Sequence, residues 1–462
     1  MGTEMPEDHK STTNHEGGDN PTQAIAAWIA GVGSDEFGER PRRWAKHALL
    51  DWLGVTLAGS RDPLVDILVS DAIAEGETGR ARLIGREECV TPSFAAMING
   101  AASHALDFDD VNKRLHGHPT VPVVPALLCV AEQKTMSGRA VLDAFIIGYE
   151  VECLIGEMMG LAHYDHGWHA TATIGTFGAA AGSARLLGLD ADQTAMALGI
   201  AATQAAGLKS MFGTMCKPLH AGKAAMNGLM AARWAAKDFI SRADALECAQ
   251  GFGLTQSTEF KALPIRADAD APFAIEENLF KYHAACYLTH SSIEAIRSLK
   301  TQHGFTADDV HRVRTRVDAG HRQVCDILEP ATGLEVKFSI RHCIAMAISG
   351  DDTGAMEIYT DDLAIRPDLM ALRRKVDVED KIHENRHAAK VIIDLADGRS
   401  LVETFDAGVP ADDLDAQEAR LVAKFKRLAE PVIGRNRAAL TVDHVMALND
   451  AEDFMALMAE MH

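Results

Sequence analysis

Helical periodicity in the first half of the chain restricts its fold more than any other feature. Across residues 22–259, apolar side chains recur every three or four positions, the spacing that lines one face of an α-helix. It is clearest in PRRWAKHALLDWLGVTLAG, SGRAVLDAFIIGYEVECLIGEMMG and DADQTAMALGIAATQAAG. Ser137 and Asp190 are predicted N-caps, and Gly59 a predicted helix end. Because Ala and Gly are frequent here, we expect a dense bundle with the nearly uncharged segment ATATIGTFGAAAGSARLLG at its centre.

The pattern changes near Ala267, where shorter segments replace the long helices. VHRVRTRV, Val310–Val317, predicts a strand, although Arg occupies much of it. AKVIIDLADGRSLVETF predicts two strands joined at the hairpin dipeptide Asp397-Gly398. Between these strands, GLEVKFSIRHCIAMAISG predicts one helix. After Pro410 the pattern is helical again.

These segments predict a mainly α fold with an α+β insertion. A chain of 462 residues is too long for one compact core. We expect a large all-helical domain from residues 22–267 and 409–462, and a smaller α+β lid domain from residues 268–408. Residues 1–21 are polar and are predicted to be a disordered tail.

Charge and composition exclude several classes of partner. There are 45 Lys and Arg against 66 Asp and Glu, a net charge of −21, which argues against nucleic acid and anionic membrane surfaces. No stretch of apolar residues is long enough to predict a membrane span. The N-terminus lacks a secretory signal, and none of the eight Cys forms a CxxC pair. A cytoplasmic protein with reduced thiols is expected. A small anionic substrate is compatible if cations are concentrated locally.

The first candidate motif is HALDFDDVNKRLHGHPTVPVVPALL, from residue 104 to residue 128. Asp107, Asp109 and Asp110 are followed by His116 and His118. Carboxylates and imidazoles on an irregular segment suit acid–base catalysis or metal binding. The alternative is a helix end with ordinary solvated Asp residues. The prolines that follow are expected to prevent a long helix: Pro119, Pro122 and Pro125.

The second motif, HYDHGWHATATIG, spaces three histidines at intervals of three. His163, His166 and His169 could bind zinc if they shared a helix, but Gly167 is expected to break it. We predict that His169 points inward at the start of the uncharged helix. His163 and His166 are predicted to lie on a surface loop.

Two further segments combine Lys, His and apolar residues. In LKSMFGTMCKPLHAGKAAMNGLMAARWAA, Lys217 precedes Pro218, is predicted to lie off any helix, and needs an anion if it is buried. His220 begins the next helix, and Lys223 is predicted to be solvated. In FKYHAACYLTHSSIEAI, Lys281 could close over a substrate bound by the helical domain. The sequence shows no convincing phosphate loop, dinucleotide-binding, HExxH or GxSxG motif.

In this order and spacing, the four segments resemble the MmgE/PrpD family of 2-methylcitrate dehydratases, cis-aconitate decarboxylases and iminodisuccinate epimerases. HALDFDD with a following His-Pro, GWHATATIG, FGTMCKPLHAGKAA and FKYHAAC each resemble a family motif, and the resemblance spans about residues 22–460. It implies a helical domain with an inserted α+β lid, usually in a homodimer, and no metal or other cofactor.

The resemblance also implies roles for individual residues. Five residues match functional positions of the family's motifs and form the expected catalytic set: Asp107, His118, His169, Lys217 and Lys281. Expected substrate contacts are His220, Lys209, Tyr282 and His342. The chain departs from the family at Val111, where many members have Thr, and at His342, where several have Tyr. Both differences bear on the identity of the substrate.

The expected activity is a cofactor-independent hydro-lyase acting on a small di- or tricarboxylate such as 2-methylcitrate. Lysines would hold the carboxylates while imidazoles move a proton at a neighbouring carbon. Asp107 either orients an imidazole or is itself the base. Decarboxylation of cis-aconitate type and epimerisation of iminodisuccinate type are alternatives. Two other classes stay open: a catalytically silent helical scaffold, and a metal-dependent hydrolase using Asp109, Asp110, His116, His118 and His169.

Overall fold

The first part of the chain forms the expected helical bundle. In the computed structural model, the described residues are 20–380 and 385–461, so residues 1–19 of the predicted tail lie outside them. The elements are α1 (Pro21–Gly31), α2 (Glu39–Gly59), α3 (Pro63–Ala74), β1 (Ala81–Arg82), β2 (Cys89–Val90), α4 (Pro92–His104), α5 (Thr120–Ala131), α6 (Gly138–Asp165), α7 (Ala170–Thr173), α8 (Gly175–Leu187), α9 (Ala191–Gln204), α10 (Cys216–Ala235) and α11 (Phe252–Gln256).

The second part is an α+β unit, after which the chain returns to helices. Its elements are α12 (His290–His303), β3 (Val310–Val317), α13 (Ala319–Cys325), α14 (Gly333–Val336), α15 (Ile340–Ser349), α16 (Asp361–Ala364), α17 (Pro367–Arg373), β4 (Val376–Asp380), β5 (Ala388–Leu395) and β6 (Ser400–Asp406). The last helices are α18 (Leu414–Ile433), α19 (Arg435–Met446) and α20 (Met455–Met458). The predicted fold class, mainly α with a smaller α+β part, is confirmed.

Several helix ends and one hairpin turn lie where short sequence patterns predicted them. Ser137 and Asp190 accept hydrogen bonds from the backbone N–H groups three residues on, at 3.2 and 2.8 Å, and so cap α6 and α9. Helix α2 ends at Gly59, as predicted. The dipeptide Asp397-Gly398 joins β5 to β6, and Gly398 has a φ of +90° that favours glycine.

The four-stranded sheet explains why β3 tolerates its arginines. The strand order is β4-β3-β5-β6, with β3 parallel to β4 and antiparallel to β5. Val313 and Val317 are buried on one face of β3. On the other face Arg312, Arg314 and Arg316 pair with carboxylates of β4 and β5, at distances between 2.7 and 3.1 Å. These cross-strand pairs satisfy the charges.

Two predictions that were based on prolines were wrong. The three prolines of the first motif do not prevent a helix, because α5 runs through Pro122 and Pro125, and every one of its residues is buried. Pro122 lies in the first turn, where no backbone N–H is needed, and burial of the whole helix offsets the bond lost at Pro125. Lys217 is not off a helix. It is the second residue of α10, because Pro218 also fits a first turn.

Two other local predictions were wrong. His163 is not on a surface loop: α6 continues to Asp165, and the buried ring contacts Thr173 Oγ1 at 2.8 Å and the Gln256 carbonyl at 3.0 Å. His166 is exposed. The single helix predicted over GLEVKFSIRHCIAMAISG is broken into α14 and α15. Ser339 interrupts it, because its hydroxyl accepts from the His342 N–H and so starts a new helix.

Two large apolar clusters organise the molecule. One contains buried residues of segments 25–280 and 414–461, and the other contains buried residues of segments 285–401. A small third cluster, which includes Val55, Phe108 and Ala284, lies between them. The exact domain boundaries, 267/268 and 408/409, stay a prediction. None of the described helices is long and apolar enough to cross a membrane.

The contact between α4 and α10 depends on glycine. A Cβ at Gly222 would lie 2.1 Å from the Met97 carbonyl oxygen, and one at Gly100 would lie 2.8 Å from the Gly222 Cα. Backbone atoms cannot move aside as a flexible side chain can. These helices carry motifs on both sides of the candidate site, so their separation sets its geometry.

We expect Gly222→Ala to lower the free energy of unfolding by about 3 kcal/mol, because the added methyl forces α4 and α10 apart. Urea denaturation would measure the change. The matched control is Gly31→Ala, where a Cβ meets no atom within 4 Å. Equal stability of the two variants would contradict the close-packing interpretation.

Candidate functional site

The site is built around a turn that follows α4. Helix α4 ends at His104, and Asp107 then adopts a left-handed conformation with φ +49°. Such a conformation is uncommon outside glycine and costs free energy that surrounding contacts must offset. The turn points Asp107 toward lysines from two distant segments. Its side chain is 40% exposed, so a ligand can reach it.

Two lysines share one oxygen of Asp107. Lys217 Nζ, from the first turn of α10, lies 2.8 Å from Asp107 Oδ1. Lys281 Nζ lies 2.9 Å from the same oxygen and also donates to the Asp107 carbonyl at 2.6 Å. Burial opposes ionisation of Asp107, but the two ammonium groups outweigh it and hold the pKa of this carboxyl well below its usual range. Burial likewise opposes the charge of Lys281, yet Asp107 and Asp109 raise its pKa.

A second carboxylate, Asp109, is buried and orients two imidazoles. His104 Nδ1 lies 3.0 Å from Asp109 Oδ1, and His118 Nδ1 lies 2.8 Å from Asp109 Oδ2. Burial raises the pKa of Asp109, but the two rings outweigh this effect and hold it well below its usual range. Burial lowers the pKa of His104 to about 4, so that ring is neutral near pH 7 and donates from Nδ1.

Asp109 also determines which nitrogen of His118 is available. With Nδ1 turned toward Asp109, Nε2 lies 3.7 Å from Asp107 Oδ1. The backbone N–H of His118 donates to Thr171 Oγ1 at 3.0 Å, which fixes the loop against the region of α7. This placement suits an imidazole for proton transfer, because one nitrogen lies against a buried carboxylate and the other lies near the partly exposed Asp107.

A pair of neutral imidazoles completes the site. His169 is buried at the N-cap of α7, and its Nδ1 lies 3.0 Å from Nδ1 of His220 on α10. Burial lowers the pKa of both rings, well below the usual range for His169, with nearby Lys217 adding to the effect. One ring therefore donates and the other accepts. The His104 ring stacks 5.9 Å from His169, and within the described residues its Nε2 has no hydrogen-bond partner.

The structure brings together six of the nine residues expected from the sequence: Asp107, His118, His169, Lys217, Lys281 and His220. The other three lie elsewhere. Lys209 Nζ donates to the Tyr164 carbonyl at 2.9 Å. Tyr282 stacks under Arg420 and lines a separate cavity of about 320 Å³. His342 is buried in the α+β core because α15 turns it inward.

Sequence reasoning overlooked His104 as a site residue, and it gave Asp109 only as part of a cluster suited to acid–base catalysis or metal binding, outside the expected catalytic set. The signal was present, because His104 opens the motif HALDFDD and Asp109 follows it by five residues. In the structure, α4 ends at His104, and the turn brings Asp109 back against its ring.

The charges of the site bear on whether it can hold a metal ion. His104, Asp107, Asp109 and His118 have ligand atoms within 4.8 Å of one another, so they could surround an ion. However, two ammonium groups already occupy Asp107 Oδ1, and they would repel a cation. The predicted hydrolase set is not assembled either. Asp110 turns away to Thr120 and Asn278, and His116 is exposed. The two ammonium groups beside Asp107 oppose a cation there and attract an anion.

Comparison with known proteins gives matches along nearly the whole chain. The MmgE/PrpD N-terminal domain model matches residues 23–262, and the MmgE/PrpD C-terminal domain model matches residues 283–448. A cis-aconitate decarboxylase of Aspergillus terreus is 27% identical, covering 95% of this chain and 95% of its own length. The cis-aconitate decarboxylase of Homo sapiens is 25% identical, covering 94% of this chain and 93% of its own length.

The neighbouring Asp110 yields a test of pH dependence. Burial raises the pKa of Asp110 to about 7, with Asp51 and Asp109 adding to the effect. The folded state thus keeps a proton that the unfolded state releases near pH 4. Stability falls as pH rises through this window. Between pH 5 and pH 8, the wild type should lose about 2–3 kcal/mol relative to Asp110→Asn, which cannot titrate.

Urea denaturation at both pH values would measure this difference. The exposed Asp362→Asn is the control and should follow the wild type. Parallel pH dependence in the wild type and Asp110→Asn would show that Asp110 is already ionised in the folded protein.

Proposed function

Because this chain belongs to the MmgE/PrpD family, we propose that it is a lyase acting on a small di- or tricarboxylate. The reaction would move a proton at a carbon next to a carboxylate. One observation supports this most strongly. Lys217 and Lys281 meet at Asp107, beside an imidazole held by Asp109. Cations and proton carriers therefore converge on one accessible point.

The lysines would bind substrate and stabilise the reaction's charge. Removing a proton next to a carboxylate places a second negative charge on that group. Ammonium groups aimed at the developing charge lower the barrier, since they are already oriented and need no rearrangement. A substrate carboxylate could accept from the same ammonium groups that now contact Asp107. Lys281 is only 3% exposed, which strengthens its electrostatic effect.

His118 and His169 are the proposed acid–base pair. In a dehydration, one base takes the proton from the carbon, and an acid gives a proton to the departing hydroxyl, so that water leaves. Asp109 fits His118 for such a role, because it lies 2.8 Å from Nδ1 and leaves Nε2 on the side of Asp107. His169 is neutral, so it can accept a proton. Asp107 could assist either ring or act as the base.

Dehydration of a hydroxy acid such as 2-methylcitrate is our first candidate reaction. Decarboxylation is the second, and it is favoured by the named activity of the fungal and human relatives. In that reaction the carbon–carboxylate bond breaks, carbon dioxide leaves, and an imidazole protonates the carbon. Epimerisation requires the same proton removal, followed by return from the opposite face. A cytoplasmic homodimer without cofactors is part of the proposal.

The proposed class of reaction can be tested by proton exchange in deuterated water. The purified protein would be incubated with 2-methylcitrate, citrate, cis-aconitate and iminodisuccinate, and deuterium uptake and products followed by NMR. We expect one acid to exchange or to be converted. If none exchanges or yields a product, the catalytically silent scaffold becomes the better explanation.

Lys217→Met should reduce turnover by about 10²–10³-fold, because it removes one of two charges that stabilise the transition state. Steady-state kinetics with the acid identified in the exchange screen would measure it. Lys237→Met is the matched control, since Lys237 is exposed just beyond α10. Near-normal turnover of Lys217→Met would remove this lysine from the proposed machinery.

Asp109→Asn should reduce kcat by about 10²–10⁴-fold, with a smaller change in KM, because His118 loses the carboxylate that lies against its Nδ1. Steady-state kinetics would measure both constants. Circular dichroism would verify folding, and the exposed Asp192→Asn is the control. A kcat close to that of the wild type would show that Asp109 has only a structural role.

A further inference from the structure

Lys337 brings a third ammonium group close to the site, although no sequence motif had singled it out. It lies in the turn between α14, which ends at Val336, and α15, which begins at Ile340. Its carbonyl accepts a hydrogen bond from the backbone N–H of Cys286 at 2.9 Å. Cys286 is five residues beyond Lys281, so this bond fixes Lys337 beside the segment that carries the second lysine of the site.

The Lys337 side chain packs against two residues of the α+β part. Its Nζ lies 3.9 Å from Met356 Sδ and 5.4 Å from the centre of the Tyr359 ring. Met356 and Tyr359 pack against the small apolar cluster shared by the two parts of the molecule. Phe108 belongs to this cluster and Leu106 packs against it, and these two residues flank Asp107.

Charge effects agree with this placement. Burial lowers the pKa of Lys337, and the charged groups that act on it are Asp107, which raises the pKa, and Lys281, which lowers it. These effects agree with the packing of Lys337 against Met356 and Tyr359, which adjoin the cluster that contains Phe108.

Lys337 differs from those two lysines in having no carboxylate partner. Lys217 and Lys281 each lie within 2.9 Å of Asp107 Oδ1. Across residues 20–380 and 385–461, no carboxylate oxygen lies within 4.0 Å of Lys337 Nζ. A partly buried ammonium whose neighbours are a thioether and an aromatic ring is costly unless it gains an anion. A bound ligand could supply that anion.

We propose that Lys337 binds the third carboxylate of a tricarboxylate substrate and so selects tricarboxylates over dicarboxylates. This inference rests on the proposed function, in which Lys217 and Lys281 hold the carboxylates next to the reacting carbon. A dicarboxylate would engage those two lysines and leave Lys337 unpaired. A tricarboxylate would satisfy all three ammonium groups. Lys337 is thus a specificity residue supplied by the α+β part.

Two unreactive probes that differ by one carboxylate test the proposal. Tricarballylate has three carboxylates on a saturated carbon chain, and glutarate has the same five-carbon backbone without the middle one. Neither carries a hydroxyl to eliminate. Isothermal titration of the full-length protein should show tighter binding of tricarballylate. In Lys337→Met, Kd for tricarballylate should rise by about 10- to 100-fold, and Kd for glutarate should change by less than about threefold.

Methionine suits this substitution because it keeps an unbranched side chain against Met356 and Tyr359 while removing the charge. Lys390→Met, on β5 of the same α+β part, is the matched control and should bind both probes as the wild type does. Lys337→Arg should retain most of the preference for tricarballylate. Thermal unfolding of each variant would verify that it is folded.

The possible outcomes separate this inference from the proposed function. If the wild type binds neither probe, the carboxylate site itself is wrong. If it binds both equally, or if Lys337→Met keeps the preference, only the role of Lys337 is overturned. If Lys337→Met raised Kd for both probes equally, the role of Lys337 would also be overturned. Lys337 would then attract any anion and would not bind the third carboxylate.

Discussion

The contact of two lysines with Asp107 is the interaction on which the rest of the site depends. Lys281 is almost completely buried, and an unpaired ammonium there would be strongly unfavourable. Asp107 supplies its counter-charge from a segment 174 positions earlier in the chain. The same pair joins the helical part to the beginning of the α+β part. One ion pair therefore both positions a candidate catalytic lysine and joins the two parts of the molecule at the site.

The site also shows how an acidic protein can bind an acid. A net charge of −21 opposes any general attraction of carboxylates. Lys217 and Lys281 nevertheless come from two separate segments and converge on Asp107. Burial reduces screening by water, so a few local cations act more strongly than many distant surface carboxylates. Neutral imidazoles then add proton carriers without repelling the lysines.

Several features of the fold could be predicted from the sequence because they depend on neighbouring residues. The caps at Ser137 and Asp190 and the hairpin at Asp397-Gly398 are examples. The errors had a common cause. Pro125 lies inside a helix because all of α5 is buried. His163 is buried because Thr173 and Gln256 reach its ring from other segments. In each case contacts distant in the chain outweighed the local preference.

By itself, the sequence determined the helical and α+β parts of the chain and the residue types available for chemistry. The four motifs also indicated six of the side chains that meet. Only the tertiary structure decided that Asp109 contacts His104 and His118, that His342 is buried in the core, and that Lys337 packs against Met356 and Tyr359. The reason is physical. Periodicity and capping are properties of adjacent residues, whereas a hydrogen bond or ion pair between distant segments depends on how the helices pack.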